Sequence, residues 1–452
     1  MSRTLPFAKS RTSESAALVS SARKCRRSSK RADVGKSTDT PTLPEKDLNV
    51  HHHCRGLLTT RAANASLYPL VPVTESTTMM HRFNCRTITV AVFVTYALVW
   101  LVWLRNRTDG SWIPATTYAA AAEDNLLDVK NATLGFQKLF AIGFKERTDK
   151  HDAIALAASY TGLEIDWLEG VRAADIPPKA YPAVWTEEKH RDKPAELGSW
   201  RAHMNALRHI VENKISSAVL MEDDSDWDVN IKTQMVEFAR GTRALQGTKG
   251  IPFSPYGDGW DMLWLGHCGI NSRGEPKFYV IPNDLTVTPR PHQNEFVRPP
   301  LAEDSNFESH RLIFNADNAI CSWAMAFTYE GARKALTALS YVGIDEPVDL
   351  GYNFLCTNIL HVPYQCLSSH PSIMGTWAQR GPASRDSDIT DGDDTWHEAS
   401  SRSLTYSTML NILPLANNET TISATWDDVP VPKIDITTFE IPSGYLYTPD
   451  AA

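Results

Sequence analysis

Short apolar runs alternate with helical periodicities from about residue 138 to residue 340. Lys138 to Phe144 (KLFAIGF) is a run of strand type, Asp149 to Tyr160 is Ala-rich and helical, and Leu163 to Leu168 reads as a second strand. After a Pro-rich loop at Pro177, Pro178 and Pro182, Gly198 is expected to open a helix. Trp200, His203, Met204, Leu207 and Val211 recur on one face of it at three- and four-residue steps. Ser217 to Met221 (SAVLM) is then a strand that stops at three acids. Ile231, Met235 and Phe238 mark a further helix, Asp261 to Leu265 a strand, Ala319 to Phe327 a late strand, and Glu330 to Leu339 a helix. This alternation predicts an α/β fold, a mostly parallel sheet covered by helices. Residues 371–452 are rich in Pro, Asp and Ser with weak patterning, and are expected to wrap that domain or trail from it.

One apolar run breaks the rhythm. Thr87 to Leu104 (TITVAVFVTYALVWLVWL) is 18 residues without a charge. At ~1.5 Å rise per residue it reaches about 27 Å, enough for a thin bilayer. Arg82 and Arg86 before it and Arg105 and Arg107 after it argue against a buried core helix, and its depth and length argue against a cleaved signal peptide. Residues 1–86 carry 15 Lys and Arg against 6 Asp and Glu, whereas the remainder carries 30 against 47. The positive-inside rule then keeps the basic tail in the cytosol and places residues 105–452 in a lumen. The expected organisation is a disordered tail over 1–86, a single N-terminal transmembrane anchor over 87–104, a stem over 105–132, a folded domain over 133–370 and an extension over 371–452. Met79-Met80 offers an alternative start just before the anchor. In a disordered tail the His51-His52-His53-Cys54 tract reads as incidental.

The acidic body excludes a grip on a nucleic-acid backbone, which needs clustered positive charge. Of the seven cysteines, Cys268, Cys321, Cys356 and Cys366 follow the anchor; one or two disulfides in an oxidising lumen, or four buried thiols, both fit that number. There is no CxxC pair and so no structural zinc signature. Asn106, Asn131 and Asn418 each begin an Asn-x-Thr triplet, acceptors for glycosylation in a lumen.

Glu222, Asp223, Asp224, Asp226 and Asp228 place five carboxylates in seven residues at a strand end, where open α/β sheets bind ligands. Five carboxylates so close are expected to be solvated or neutralised. A divalent cation shared with two diphosphate oxygens is one neutraliser, because Mg²⁺ and Mn²⁺ take one or two carboxylates and complete their shell with phosphate. The other reading is a solvated acidic turn capping the next helix. Glu222 and Asp224, two apart on extended chain, face one side and Asp223 the other. Asp226 and Asp228 are expected in the solvated turn.

The run Gly198…Trp200-Arg201-Ala202-His203-Met204-Asn205-Ala206-Leu207 followed by Ala218-Val219-Leu220-Met221-Glu222-Asp223-Asp224 resembles glycosyltransferase family 25, the lipopolysaccharide and collagen galactosyltransferases, in its fungal membrane-anchored branch. Ala202 stands where that family usually has Ser. Glu146-Arg147-Thr148-Asp149-Lys150, Trp260 to Gly269, Ala326 to Ala332 and Pro347-Val348-Asp349-Leu350 resemble further family blocks in the same order, covering about Phe136 to Leu367, and Arg385-Asp386-Ser387-Asp388-Ile389 resembles a region of the fungal branch. The resemblance implies a GT-A-like, Rossmann-type sheet with helices on both faces, a UDP-sugar donor, Mn²⁺ (or Mg²⁺), and inversion at the anomeric carbon.

Under it, Glu222 and Asp224 become metal ligands, and Asp223, Arg147, His203, Gly266 and His267 donor-binding residues. Arg147 fits a phosphate through its bidentate fork, or a surface ion pair with Glu146 or Asp149. His203 is a ligand or a core histidine. Gly266 allows a close backbone bend, with His267 beside the pocket. Inversion needs a base for the acceptor hydroxyl: Asp349 is the choice, with Asp345 and Glu346 as rivals and a helix cap as its plain alternative. His370 is a further candidate metal ligand. The expected activity is transfer of a sugar to a glycan or protein in the Golgi lumen. A non-catalytic, glycan-binding or scaffold membrane protein is the alternative. No GxxxxGK[ST] and no GxGxxG after a strand supports another nucleotide-dependent class.

Overall fold

The computed structural model describes residues 124–449 except 275–276, 294–295 and 391. The basic tail, the anchor over 87–104 and most of the stem lie outside the described residues. Among the described residues no helix is long and apolar enough to cross a membrane.

Thirteen strands form one sheet: β1 (Lys138–Gly143), β2 (Asp166–Glu169), β3 (Ser217–Glu222), β4 (Ser225–Trp227), β5 (Met262–Gly266), β6 (Gly269–Ser272), β7 (Phe278–Ile281), β8 (Arg311–Ile320), β9 (Ala324–Thr328), β10 (Cys366–His370), β11 (Met374–Ala378), β12 (Ser400–Arg402) and β13 (Tyr445–Tyr447). Its main path runs β13-β7-β8-β10-β5-β9-β3-β1-β2. β1 pairs in parallel with β2 and β3, and β5 with β10. β9 lies antiparallel between β3 and β5, and β8 antiparallel between β10 and β7. Only β8, β9 and β13 of this path oppose the common direction, so the sheet is mixed with most strands pointing one way.

The apolar runs form strands because both faces of the sheet are covered. On β3, Ala218 and Leu220 face one core with Phe140 and Ile142 of β1, while Val219 and Met221 face a second core with Leu139 and Ala141. The first core takes Trp200, Met204 and Leu207 from α2 (Pro194–Glu212). The second takes Ile154 and Ala157 from α1 (Thr148–Thr161), and Met235 and Phe238 from α3 (Ile231–Gln246). Each fully buried Leu or Met contributes roughly 1.5–3 kcal/mol. The apolar face of α4 (Tyr329–Leu336) and that of α5 (Val348–Cys356) complete the first core.

Several boundaries differ from expectation. Gly198 does not open a helix; α2 starts at Pro194, whose missing N–H costs nothing in a first turn. Ala319 to Phe327 is not one strand. β8 ends at Ile320, Cys321 takes a left-handed φ of 66°, and β9 begins at Ala324. The last part of the expected stem is folded: Leu126 and Val129 are buried beneath α3, and Arg243 binds Asp124 and Asn125. Residues 371–449 are integral to the sheet through β11, β12 and β13. All four described cysteines are paired, as Cys268–Cys321 and Cys356–Cys366.

Candidate functional site

β3 carries its apolar residues through the sheet and delivers Glu222 at the carboxyl edge. Asp223 and Asp224 form the turn into β4, which β11 covers by antiparallel pairing; the Trp377 N–H donates to the Asp224 carbonyl at 2.8 Å. β1 ends beside this turn at Gly143, where any Cβ would sit within 2.6 Å of the Asp223 side chain. A side chain there would expel Asp223, so the glycine is a steric requirement.

The three acids have different surroundings. The Glu222 carboxylate accepts from the Ser322 hydroxyl at 2.7 Å, and its N–H donates to the Trp323 carbonyl at 3.0 Å. Burial, with the Asp224 charge beside it, pushes the Glu222 carboxyl up to about 8. Asp223 accepts from the buried Lys150 ammonium at 2.5 Å. Burial raises Asp223, against the opposing charge of Lys150. Asp224 is raised by burial to about 6, and its Oδ1 is buried with no hydrogen-bond partner.

Two cavities share this edge. One, of about 440 Å³, is lined by Phe144, Lys150, Arg172, His203 and all three acids. The other, of about 540 Å³, is lined by Glu222, Asp224, Ser322, Asp349, Trp377 and Arg402. Glu222 and Asp224 line both cavities, together with Ser199, Ser387 and Ile389. Asp349 sits in the first turn of α5, where its Oδ2 accepts from the Cys321 N–H at 3.0 Å and its Oδ1 from the Leu350 N–H at 2.9 Å. Burial raises Asp349, though those N–H groups favour its ionised form. Each oxygen has a further lone pair for an incoming hydroxyl. The Cys268–Cys321 disulfide holds the bend that supplies both Ser322 and the Cys321 N–H.

The remaining predicted residues divide. His203 is buried, its Nδ1 lies 3.3 Å from the Tyr352 hydroxyl, and burial lowers it to about 4, so it lines the first cavity as a neutral ring. Arg147 binds Asp149 through Nε and Nη2 at 3.0 and 2.8 Å, and also binds Asp388 and the Arg385 carbonyl. It lines a third cavity, of about 570 Å³, with Lys150 and Asp388. Glu146 pairs instead with Arg172.

Gly266 and His267 do not line the two carboxylate cavities. A Cβ on Gly266 would meet the Ala324 nitrogen at 2.9 Å, so this glycine lets β5 pass close to β9. His267 is wholly buried, with Nε2–H donating to the Ser369 carbonyl at 2.8 Å. His370 is likewise buried in β10 and outside both linings. Asp345 accepts from Thr186 and pairs with His190, and Glu346 pairs with Lys189, so the two rivals to Asp349 tether the Thr186–His190 segment.

Asp226 and Asp228 are not in a solvated turn. Asp226 is fully buried and accepts from the hydroxyls of Ser401 and Ser407 and the N–H groups of Trp227 and Met409. Asp228 accepts from Asn230 at 2.8 and 3.1 Å. Lys150 and Asp388 entered the sequence reading only as members of resemblance blocks, without a role, and Ser322 and Arg402 were not singled out. They reach the acids through the α1 corner, the β8–β9 bend and the C-terminal chain.

Among the described residues no group of three His, Cys, Asp or Glu is arranged to hold a metal ion unaided. Mg²⁺ and Mn²⁺ commonly use one or two carboxylates plus substrate phosphate. The partnerless, buried Asp224 Oδ1 beside Glu222 fits that shared mode and does not fit an all-protein cage.

No known family model matches the chain, and no curated protein matches it. The functional reading therefore rests on the residues themselves.

Proposed function

We propose that the chain is an inverting glycosyltransferase that moves a sugar from a UDP-sugar, galactose in the first instance, to a hydroxyl of a glycan or protein. The observation that carries this reading is the shared lining: Glu222 and Asp224 border both a cavity containing Lys150 and His203 and one containing Asp349. A donor lies on the first side and an acceptor on the second, with the anomeric carbon between them.

A divalent cation at Glu222 and Asp224 would neutralise the diphosphate and stabilise it as a leaving group. The chain's own residues do the rest. Lys150 holds Asp223 away from the cation-facing pair, and neutral His203 packs without adding charge. Asp349 takes the proton of the acceptor hydroxyl as its oxygen bonds to the anomeric carbon and the bond to UDP breaks. The Cys321 N–H fixes which face of Asp349 does this.

Two disulfides and the exposure of Asn131 and Asn418 support residence in an oxidising, glycosylating compartment, in accord with a single-pass Golgi membrane protein whose catalytic domain is luminal. The test is Mn²⁺-dependent hydrolysis of a panel of UDP-sugars by the full chain, with Asp224→Ala as control. Turnover that disappears in the control is expected. Absence of both turnover and a thermal shift with every UDP-sugar plus Mn²⁺ sinks the reading; a thermal shift without turnover marks the non-catalytic alternative.

A further inference from the structure

Three cavities meet at the carboxyl edge of the sheet, and one segment of the C-terminal chain borders all of them. Ser387, Asp388 and Ile389 line the first, Arg385, Asp386 and Asp388 the third, and Asp386, Ser387 and Ile389 the one that holds Asp349. This strap closes on itself: the Ser387 hydroxyl accepts from the N–H groups of Ile389 and Thr390, each at 3.1 Å. Its polar ties to the β1–α1 corner come from two cations. Arg147 binds the Asp388 carboxylate through Nη1 and the Arg385 carbonyl through Nη2 at 2.8 Å, and the Lys150 ammonium lies 3.6 Å from the same Asp388 oxygen.

The two cations, the cap and a first-turn residue of α1, converge on one carboxylate. Asp149 already fixes the opposite edge of the Arg147 guanidinium, and Asp223 fixes Lys150. What remains is a fork N–H and an ammonium N–H aimed at one point, the donor set that a phosphate oxygen takes. The Asp388 side chain is 32% exposed, against 6% for Lys150 and 18% for Arg147, so solvent reaches the acid while the two cations are largely covered.

We propose that Arg147 and Lys150 form a seat for a phosphate group and that Asp388 is its internal occupant, displaced when a diphosphate binds. The ligand class rests on the donor reading above; the seat itself does not. Displacement frees the Asp388 side chain from both cations and leaves the Arg147–Arg385 carbonyl bond as the strap's remaining polar tie to that corner, so phosphate binding and access to the cavities are linked. The chain thereby selects ligands that carry phosphate over free sugars, which cannot compete with a carboxylate for an arginine fork.

Isothermal titration of the full chain with inorganic pyrophosphate, without metal, tests this. Asp388→Asn and, independently, Asp388→Ala are expected to tighten binding about tenfold or more, the scale of one charge-assisted hydrogen bond. Adding Arg147→Gln or Lys150→Met to Asp388→Asn is expected to abolish the gain, with thermal melts confirming folded protein in each case. In the wild type, saturating pyrophosphate is expected to speed tryptic cleavage after Arg385. Unchanged or weaker binding in both Asp388 variants overturns the proposal, as does a gain that survives both cation substitutions or cleavage that pyrophosphate leaves unchanged. Pyrophosphate binding that obeys these rules in a chain without UDP-sugar turnover keeps the seat and removes the transferase. Turnover with binding insensitive to Asp388 does the reverse.

Discussion

Asp224 and Asp226 are two residues apart and both are buried, yet their oxygens meet opposite surroundings. Asp226 lies under β11 and the chain after β12, and four donors converge on it. Asp224 lies at the cavity wall with one oxygen lacking any partner. Burial raises both to about 6, so desolvation alone does not separate them. The count of donors does. A satisfied carboxylate is part of the fold, whereas an unsatisfied oxygen costs about 1–3 kcal/mol; Asp228 Oδ2 also lacks a partner, but of the two only Asp224 borders the cavities, where a ligand can complete it.

Substitutions along the run test that contrast. Asp224→Asn should lower UDP-sugar hydrolysis by about 10²–10³-fold, the scale of losing one charged contact to a developing anion, while leaving the thermal midpoint unchanged or higher. Hydrolysis that survives the change, or a large loss of stability, would break the comparison from the ligand side. Asp226→Ala should lower stability by about 3 kcal/mol in urea titrations, because two hydroxyls and two N–H groups lose their acceptor inside the core. A stable Asp226→Ala protein would break it from the structural side.

Asp228 sharpens the contrast through pH. Burial pushes it to about 7 from an ordinary 3.8. Between those values the folded state binds a proton that the unfolded state has lost, so the group's contribution to stability falls as pH rises from 3.8 to 7, and it has no differential effect below 3.8. Asp228→Asn keeps an acceptor for Asn230 and removes that cost. It should raise stability at pH 8 by about 2 kcal/mol and change little at pH 3.5, read from denaturant midpoints at the two pH values. A gain of equal size at both would show that charge is not the cause. The smallest effect is expected for Ser322→Ala. It removes one hydrogen bond to Glu222, and a loss of about tenfold or less in kcat/KM with unchanged folding is the outcome to look for.

The strands that build the site were legible because both faces of the sheet are covered, which forces near-continuous apolar runs such as SAVLM and DMLWL. The break between β8 and β9 was not. Ala319 to Phe327 is apolar almost throughout, and its bend comes from the Cys268–Cys321 bridge and a left-handed Cys321. The acids at the end of β3 stood out by charge density, but five carboxylates in seven residues suggested solvent. Asp226 is sealed by Ser401, Ser407 and Met409, some 175 to 183 residues downstream. His267 read as a pocket residue from its place after Gly266. Its ring instead turns into the core, where the Ser369 carbonyl receives it.

Taken alone, the sequence determined the α/β alternation, the placement of Glu222, Asp223 and Asp224 at a strand's end, and the basic, apolar and acidic division of the chain. These follow from local period and charge, which each segment carries within itself. The tertiary structure decided which acids face a cavity and which are sealed, and that Lys150 and Asp388 belong to the site. It also joined residues 371–449 to the sheet that the earlier strands begin. Hydrogen-bond satisfaction and ion pairing depend on partners brought together from distant parts of the chain, and no local pattern records them.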